Sequence, residues 1–336
     1  MTARPLGNDK LLDRLRTLVE GDRLHPCLLF EGPVGVGKAM SANWLASVAN
    51  CEAADAPCGE CWSCRQIPLG QHPDVIHVGV DPKKTARIIS VAQARDLQRQ
   101  LMVKPFHARR RFVIIDPADA MTPEAANALL KTFEDPPSQT HFVLITGAPA
   151  SLLITVRSRS QRIRFAPVSK DALVPWLEQQ GVEKASLVAQ AAEGCPGRAL
   201  TMDLSGVDEW RGARDALLAA LDGDVAAQLK YAETLARGDR SKWAPKVDLM
   251  MDALGSLLRD ALSVSHGGEV LYNRDRQATV DAWARALGPA GVAAATVFVG
   301  DARERLERFV NGRLVLDALI AKLSARLRAG ERHAAV

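Results

Sequence analysis

Four clusters of residues have types and spacings that can do chemistry. The first is GPVGVGK at residues 32–38. A glycine, four residues, a second glycine and a lysine wrap backbone N–H groups around phosphate oxygens, with Gly32, Gly35 and Gly37 admitting close approach and Lys38 placing a point charge on the outer phosphates. A complete loop continues with Ser or Thr, whose hydroxyl holds Mg²⁺; here that position is Ala39. The second is CEAADAPCGECWSC, which brings Cys51, Cys58, Cys61 and Cys64 into one short stretch. Two-residue gaps let neighbouring thiolates reach one Zn²⁺, and four of them close a tetrahedral shell, so the site is expected to be structural. Iron–sulfur ligation and unligated cysteines are the alternatives, and the bacterial cluster signature that continues x3-C-P is missing. His72 and His77 lie farther off and are poorer ligands.

The third is FVIIDPADAM. Asp116 ends an apolar run, where phosphate-loop NTPases keep the carboxylate that holds Mg²⁺. Relatives that hydrolyse ATP follow it with a glutamate that orients water, but Pro117 stands there, and Asp119 reads as a turn or capping residue. The fourth is TVRSRSQRIRF at 155–165, where Arg157 and Arg159 alternate with Ser158 and Ser160. By composition alone it is a basic surface loop.

These clusters need elements to position them. Apolar runs at 27–31, 74–80, 112–116, 141–145 and 161–165 alternate with helical patterns, the signature of a parallel sheet covered by helices. The glycine loop thus follows a strand and opens the helix at 38–50, whose dipole and free N–H groups favour anions. An ordinary glycine turn would not need that context. Ser90 with Gln93 predicts a capping box, and Thr122, Pro123 and Glu124 predict a helix start that Pro136 and Pro137 terminate. Ala126, Leu129, Leu130 and Phe133 line one face of that helix. Arg109, Arg110 and Arg111 read as a solvated strand entry.

Past residue 166 the strand pattern stops. Helices are expected at 169–180, 183–193 and 197–203, then a loop at 204–208, then helices only, with one stripe of Val247, Met250, Met251, Leu254, Leu258 and Leu262. A second stripe comprises Leu306, Phe309, Val310, Leu316, Leu319, Ile320 and Leu323, and the tail from 330 to 336 is expected to fray. The length of 336 residues suggests two or three domains, and a net charge of +4 permits a polyanionic partner without demanding one. No apolar run approaches the roughly 20 residues that span a bilayer, and residues 1–10 lack the apolar core of a secretory signal, so a cytoplasmic location is expected.

GPVGVGK, the four-cysteine module, FVIID, ANALLKTFEDPP, SRS, GCPGRAL and NGRLVLDALIAKL occur in an order that resembles the bacterial DNA polymerase III clamp-loader subunits of the AAA+ superfamily, over the whole chain. The resemblance implies an α/β fold: a phosphate-loop parallel sheet at 1–165 with the zinc module at 51–64, a small helical lid at 166–206 and an all-helical collar at 207–330. The family's motor subunits, gamma and tau, keep the hydroxyl and the glutamate that this chain lacks. The resemblance therefore points to the non-hydrolysing branch. The family's Ser-Arg-Cys motif falls on Ser158, Arg159 and Ser160, and its arginine is a finger inserted into the ATP site of a neighbouring subunit. Arg198, in GCPGRAL, falls on a second sensor arginine, touching nucleotide held by Lys38 and Asp116 or packing the lid. Implied partners are gamma/tau and delta subunits, the sliding clamp and primed DNA, with no membrane; implied cofactors are structural Zn²⁺ and, as an open question, ATP or ADP. An active motor in which Ser41 and Asp119 replace the missing groups, or a zinc-dependent nucleic-acid-binding regulator, are the competing functions.

Overall fold

A computed structural model describes residues 4–81, 87–137, 139–202, 204–270, 272–307 and 311–334. Phe309 and Val310, expected on the last apolar stripe, lie outside the described residues, as do residues 335 and 336 of the tail.

The chain opens with α1 (Asp9–Glu20) and β1 (Cys27–Glu31), which feeds the glycine loop and α2 (Lys38–Asn50). Next come α3 (Trp62–Gln66), β2 (Val75–Val78), α4 (Val91–Leu101), β3 (Arg111–Ile115) and α5 (Pro123–Glu134). Strand β4 (Thr140–Thr146), the single turn α6 (Ile154–Arg157) and β5 (Gln161–Arg164) complete the sheet. All pairings are parallel, in the order β2-β3-β4-β1-β5. Because side chains alternate across a strand, Leu28, Phe30, Phe112 and Ile114 pack on one face with α1 and α2, while Cys27, Leu29, Val113 and Ile115 pack on the other with α4 and α5. Every residue of β1 and β3 is buried, which accounts for their unbroken apolar runs.

The predicted caps form. Ser90 and Gln93 exchange the reciprocal bonds of a capping box, and the Thr122 hydroxyl accepts the Ala125 N–H with Pro123 in the first turn. The arginine run differs from expectation. Arg109 is exposed, but Arg111 is 4% exposed and lies 3.6 Å from the buried carboxylate of Asp74. A charge at the start of a fully buried strand is held by an opposite charge, not by water.

Helices α7 (Lys170–Gln179), α8 (Ala185–Ala191) and α9 (Pro196–Thr201) follow. They lead to α10 (Leu204–Asp222), α11 (Val225–Leu235), α12 (Arg240–Ser265), α13 (Gln277–Glu307) and α14 (Gly312–Ala334). The loop expected at 204–208 is the first turn and a half of α10. Burial of Val207 and Trp210 on one side of the helix outweighs the cost of about 1 kcal/mol for Gly206 in its first turn. The tail likewise stays helical through Ala334.

The chain divides into two compact units, Met1–Gly181 with Gly194–Thr201, and Val182–Glu193 with Met202–Val336. Residues 166–206, expected as one lid, are thus shared between them. In the helical unit Val247, Met250, Met251, Leu254 and Leu258 join Leu306, Leu316, Leu319, Ile320 and Leu323 in one core, whereas Leu262 is 37% exposed. Residues Arg274–Leu306 are long and apolar enough, by length and composition, to cross a membrane. That stretch is broken at Gly288, with φ 59° before Pro289, and Val280, Trp283, Val292, Ala295 and Val299 belong to the core. Its alanines and valines raise the hydropathy, while charged residues at both ends keep the uninterrupted apolar run short of the roughly 20 residues that span a bilayer.

Candidate functional site

The glycine loop joins the C-terminal end of β1 to the start of α2. Gly32, Gly35 and Gly37 have φ of 151°, 82° and 104°, which a side chain would strain. A Cβ at Gly35 would stand 2.8 Å from the Arg198 backbone nitrogen, and the Gly197 N–H donates to the Gly35 carbonyl at 2.8 Å. The loop therefore seats directly on the first turn of α9, which is how GCPGRAL meets GPVGVGK. Lys38 donates its ammonium protons to the Gly32 and Pro33 carbonyls at 2.5 and 2.7 Å. Burial pulls the Lys38 pKa down, opposed by the charge of Asp116 and, more weakly, of Asp119. The carboxyl of Asp116, just beyond β3, sits above its ordinary value because of desolvation, which Lys38 counters and Asp119 reinforces.

Neither candidate replacement for the missing hydrolytic groups is idle. The Ser41 hydroxyl donates to the Gly37 carbonyl at 2.9 Å, and the Asp119 carboxylate accepts a bond from the Thr146 hydroxyl. Thr146 and Glu31 are site residues that sequence reasoning missed. Both terminate apolar strands and pair in register, and Glu31 takes Arg162 in a two-pronged ion pair at 2.5 and 2.9 Å. A polar residue closing a buried parallel strand was the available signal.

Arg159 lies elsewhere. It follows α6 and precedes β5, with its Nε donating to the Glu134 carboxylate at the end of α5 and its Nη1 to the Thr155 carbonyl at 3.1 Å. Ser160 donates to the Val156 carbonyl at 2.8 Å and lies 3.3 Å from the Cys27 sulfur, so the serine fills its place without an unpaired hydroxyl. In the sheet register Leu28 opposes Gln161 and Glu31 opposes Arg164. Gln161, the first residue of β5 and two past Arg159, is thus level with Leu28, whereas the glycine loop starts beyond Glu31. At about 3.3 Å per residue the start of β5 and the loop are separated by roughly 13 Å along the strands.

The cysteine module sits between α2 and β2. The four sulfurs of Cys51, Cys58, Cys61 and Cys64 lie within 4.8 Å of one another. Zinc–sulfur bonds of about 2.3 Å place tetrahedral ligands about 3.8 Å apart, so this donor set fits a Zn²⁺ with little adjustment. The Cys58 sulfur accepts the Cys61 and Glu60 N–H groups at 3.3 and 3.4 Å, which lowers its pKa to about 7. Burial pushes Cys64 up, a cost that a bound cation removes. Four sulfurs leave no open coordination position, so a metal here supplies rigidity. His72 is not in the cluster; its Nδ1 accepts the Asp74 N–H and its ring packs on Trp62. His77 lies in β2, also outside the cluster.

A family profile described as DNA polymerase III, delta subunit matches residues 7–169. The delta-prime subunit of DNA polymerase III from Bacillus subtilis is 31% identical over 94% of this chain and 95% of its own length. The corresponding Escherichia coli subunit is 30% identical over 95% of this chain and 94% of its own length. The Escherichia coli tau subunit is 31% identical, but over 70% of this chain and 38% of its own length. Near-complete mutual coverage at that identity, carried through both units, means that the chain belongs to the delta-prime family of DNA polymerase III subunits.

Proposed function

We propose that this chain is the non-hydrolysing subunit of a DNA polymerase III clamp loader, which completes the ATPase site of a neighbouring gamma/tau subunit with Arg159 and helps to place the sliding clamp on primed DNA. The observation that carries the reading is the placement of Arg159 at the opposite strand end from the chain's own phosphate loop. With its guanidinium bonded to Glu134 and Thr155 at that strand end, Arg159 is not placed to reach a phosphate bound in its own loop. It is partly exposed just ahead of the edge strand β5, where a second subunit can meet it by displacing Glu134. Its permanent, planar charge suits it to a transferring phosphoryl group, an effect on the order of 10³-fold or more in other NTPases.

The same reading gives the glycine loop a structural role. Lys38 and Gly35 are bonded to the chain's own carbonyls and to α9, so nucleotide would have to displace both. Ala39 and Pro117 lack the metal hydroxyl and the water-orienting carboxylate, Ser41 and Asp119 are engaged elsewhere, and of the usual metal-holding pair only Asp116 remains. In this scheme residues 166–206 act as a lid and 207–330 as a collar, with delta as the further ring partner and Zn²⁺ held by the four cysteines.

Reconstitution with motor and delta subunits tests the assignment. Arg159→Ala is expected to leave the melting temperature and metal content unchanged and to depress clamp- and DNA-stimulated ATP turnover of the assembly. The chain alone should release no phosphate, and Lys38→Ala should change nothing. Full turnover by the assembled Arg159→Ala variant removes the finger, and steady turnover by the chain alone that Lys38→Ala abolishes identifies a motor instead.

A further inference from the structure

Glu134 ends α5 in the motif ANALLKTFEDPP and stands beside Arg159. Its place in the fold is fixed. Phe133, the residue before it, is fully buried and meets Phe142 edge-on at 5.1 Å, and the Thr132 hydroxyl accepts a bond from Gln98 of α4 at 3.4 Å. The root of Arg159 is fixed as well. Its N–H donates to the Val156 carbonyl at 3.2 Å, and the hydroxyl of the next residue, Ser160, donates to the same carbonyl at 2.8 Å. Between these two fixed points the side chains are joined. The Arg159 Nε donates to the Glu134 carboxylate, the only carboxylate that Arg159 meets among the described residues, and its Nη1 donates to the Thr155 carbonyl at 3.1 Å.

We infer that Glu134 is a latch: it holds Arg159 on its own subunit, with the charge neutralised, until a neighbouring subunit's triphosphate takes the guanidinium in exchange. The inference rests on the proposed function, in which Arg159 is the finger. Two features favour a latch over a brace that stays bound during the reaction. A finger acts by its positive charge, and a carboxylate left in contact with it would cancel that charge and repel the phosphoryl oxygens beside it. A two-pronged grip on a phosphoryl group uses Nη2 together with Nε or with Nη1, and both of those nitrogens are already engaged within the chain.

The contact also has a strength that can be exchanged. The Arg159 and Glu134 side chains are 34 and 49% exposed, so water screens the pair, and such contacts weigh an equilibrium by up to about fivefold. A buried pair would hold the arginine permanently, because separating it strands a charge away from water. Only the two side-chain tips need to move, since Phe133 and the Val156 carbonyl keep both backbones in place.

The test uses the full-length chain assembled with motor and delta subunits, with ATP turnover measured without clamp or DNA, so that release of the finger is left to the ring itself. Glu134→Gln keeps the size of the side chain and removes its charge. It should raise kcat about two- to fivefold with KM for ATP unchanged, because freeing the finger acts on the transition state and not on ATP binding. Glu134→Ala should raise it at least as much. Unchanged or lowered turnover in both variants overturns the latch; a fall would make Glu134 a brace instead. The rise must also pass through Arg159. Adding Glu134→Gln to Arg159→Ala should give the turnover of Arg159→Ala alone, and a rise in that background overturns the inference. Failure of both Glu134 variants to assemble overturns it too, because Glu134 would then be a ring contact. Full turnover by Arg159→Ala counts against the proposed function, so the two failures are distinct. In the chain alone, carrying isotope-labelled arginine, the Arg159 Nε–H should exchange with solvent about two- to fivefold faster in Glu134→Ala than in wild type. Equal exchange would mean that the two side chains do not meet in solution, and would overturn the latch as well.

Discussion

At the scale of residues, the chain is defined as much by what is missing as by what is present. Ala39 and Pro117 stand where phosphate-loop NTPases that hydrolyse ATP keep a hydroxyl and a glutamate, and both departures are legible in the sequence because each concerns one side chain at one motif position. The role of Asp74 was not legible. It was expected at the start of a strand, yet its carboxylate gathers three amides that follow it by 32 to 34 positions. Burial alone would raise its pKa, but the His107, Ala108 and Phe106 N–H groups and the Arg111 charge outweigh burial and hold it below the ordinary value. A carboxyl whose folded pKa is depressed contributes stability that is present above the unfolded pKa of about 3.9 and is lost as pH falls through the lower, folded value. Asp74→Asn is therefore expected to be less stable than wild type by about 1.5–3 kcal/mol at pH 7. The difference should shrink as pH drops below about 4. Chemical denaturation at pH 7, 5 and 3 checks this; a difference that stays constant across that range argues that Asp74 is not the anchor.

At the scale of elements, the capped helices and alternating strands were readable because their signals are local: a hydroxyl three residues before an amide, or apolar side chains every second or third position. The start of α10 differs from the expected loop at 204–208 because the burial of Val207 and Trp210 that favours a helix there is a tertiary event. The cysteine module was readable as a ligand set, since a two-residue gap has few uses other than metal binding. Its segment has little core of its own: among 51–66 only Cys51, Ser63 and Cys64 are buried. Cys64→Ser should accordingly lose the metal and expose residues 51–72 to fast hydrogen exchange while the five-stranded sheet stays protected. Elemental analysis and exchange mass spectrometry give both readouts, and full protection in the metal-free variant would show that the metal is dispensable for local order.

At the scale of the whole molecule, two units with separate cores divide the stability. In the helical unit Arg214 is 1% exposed, pairs with Asp275 at 2.6 Å, bonds Asn273 at 3.2 Å and lies 5.3 Å from the Trp210 ring centre. Removing it leaves Asn273 short of a partner and Asp275 uncompensated, although the partial exposure of Asp275 softens the loss. Arg214→Ala should cost about 1.5–3 kcal/mol. Exchange protection should fall in α10 and α12 before it falls in β1 and β3; equal loss across both units would mean that they unfold as one. The sequence alone determined the glycine-loop pattern, the four-cysteine ligand set and which apolar faces exist, because side-chain chemistry and helical or strand periodicity are properties of short segments. Only the tertiary structure decided that Arg159 and the glycine loop stand at opposite ends of the sheet, that Arg111 and Asp74 meet in the interior, and that Glu134 meets Arg159. Those facts depend on the order and register in which distant strands pair, and no local signal carries that choice.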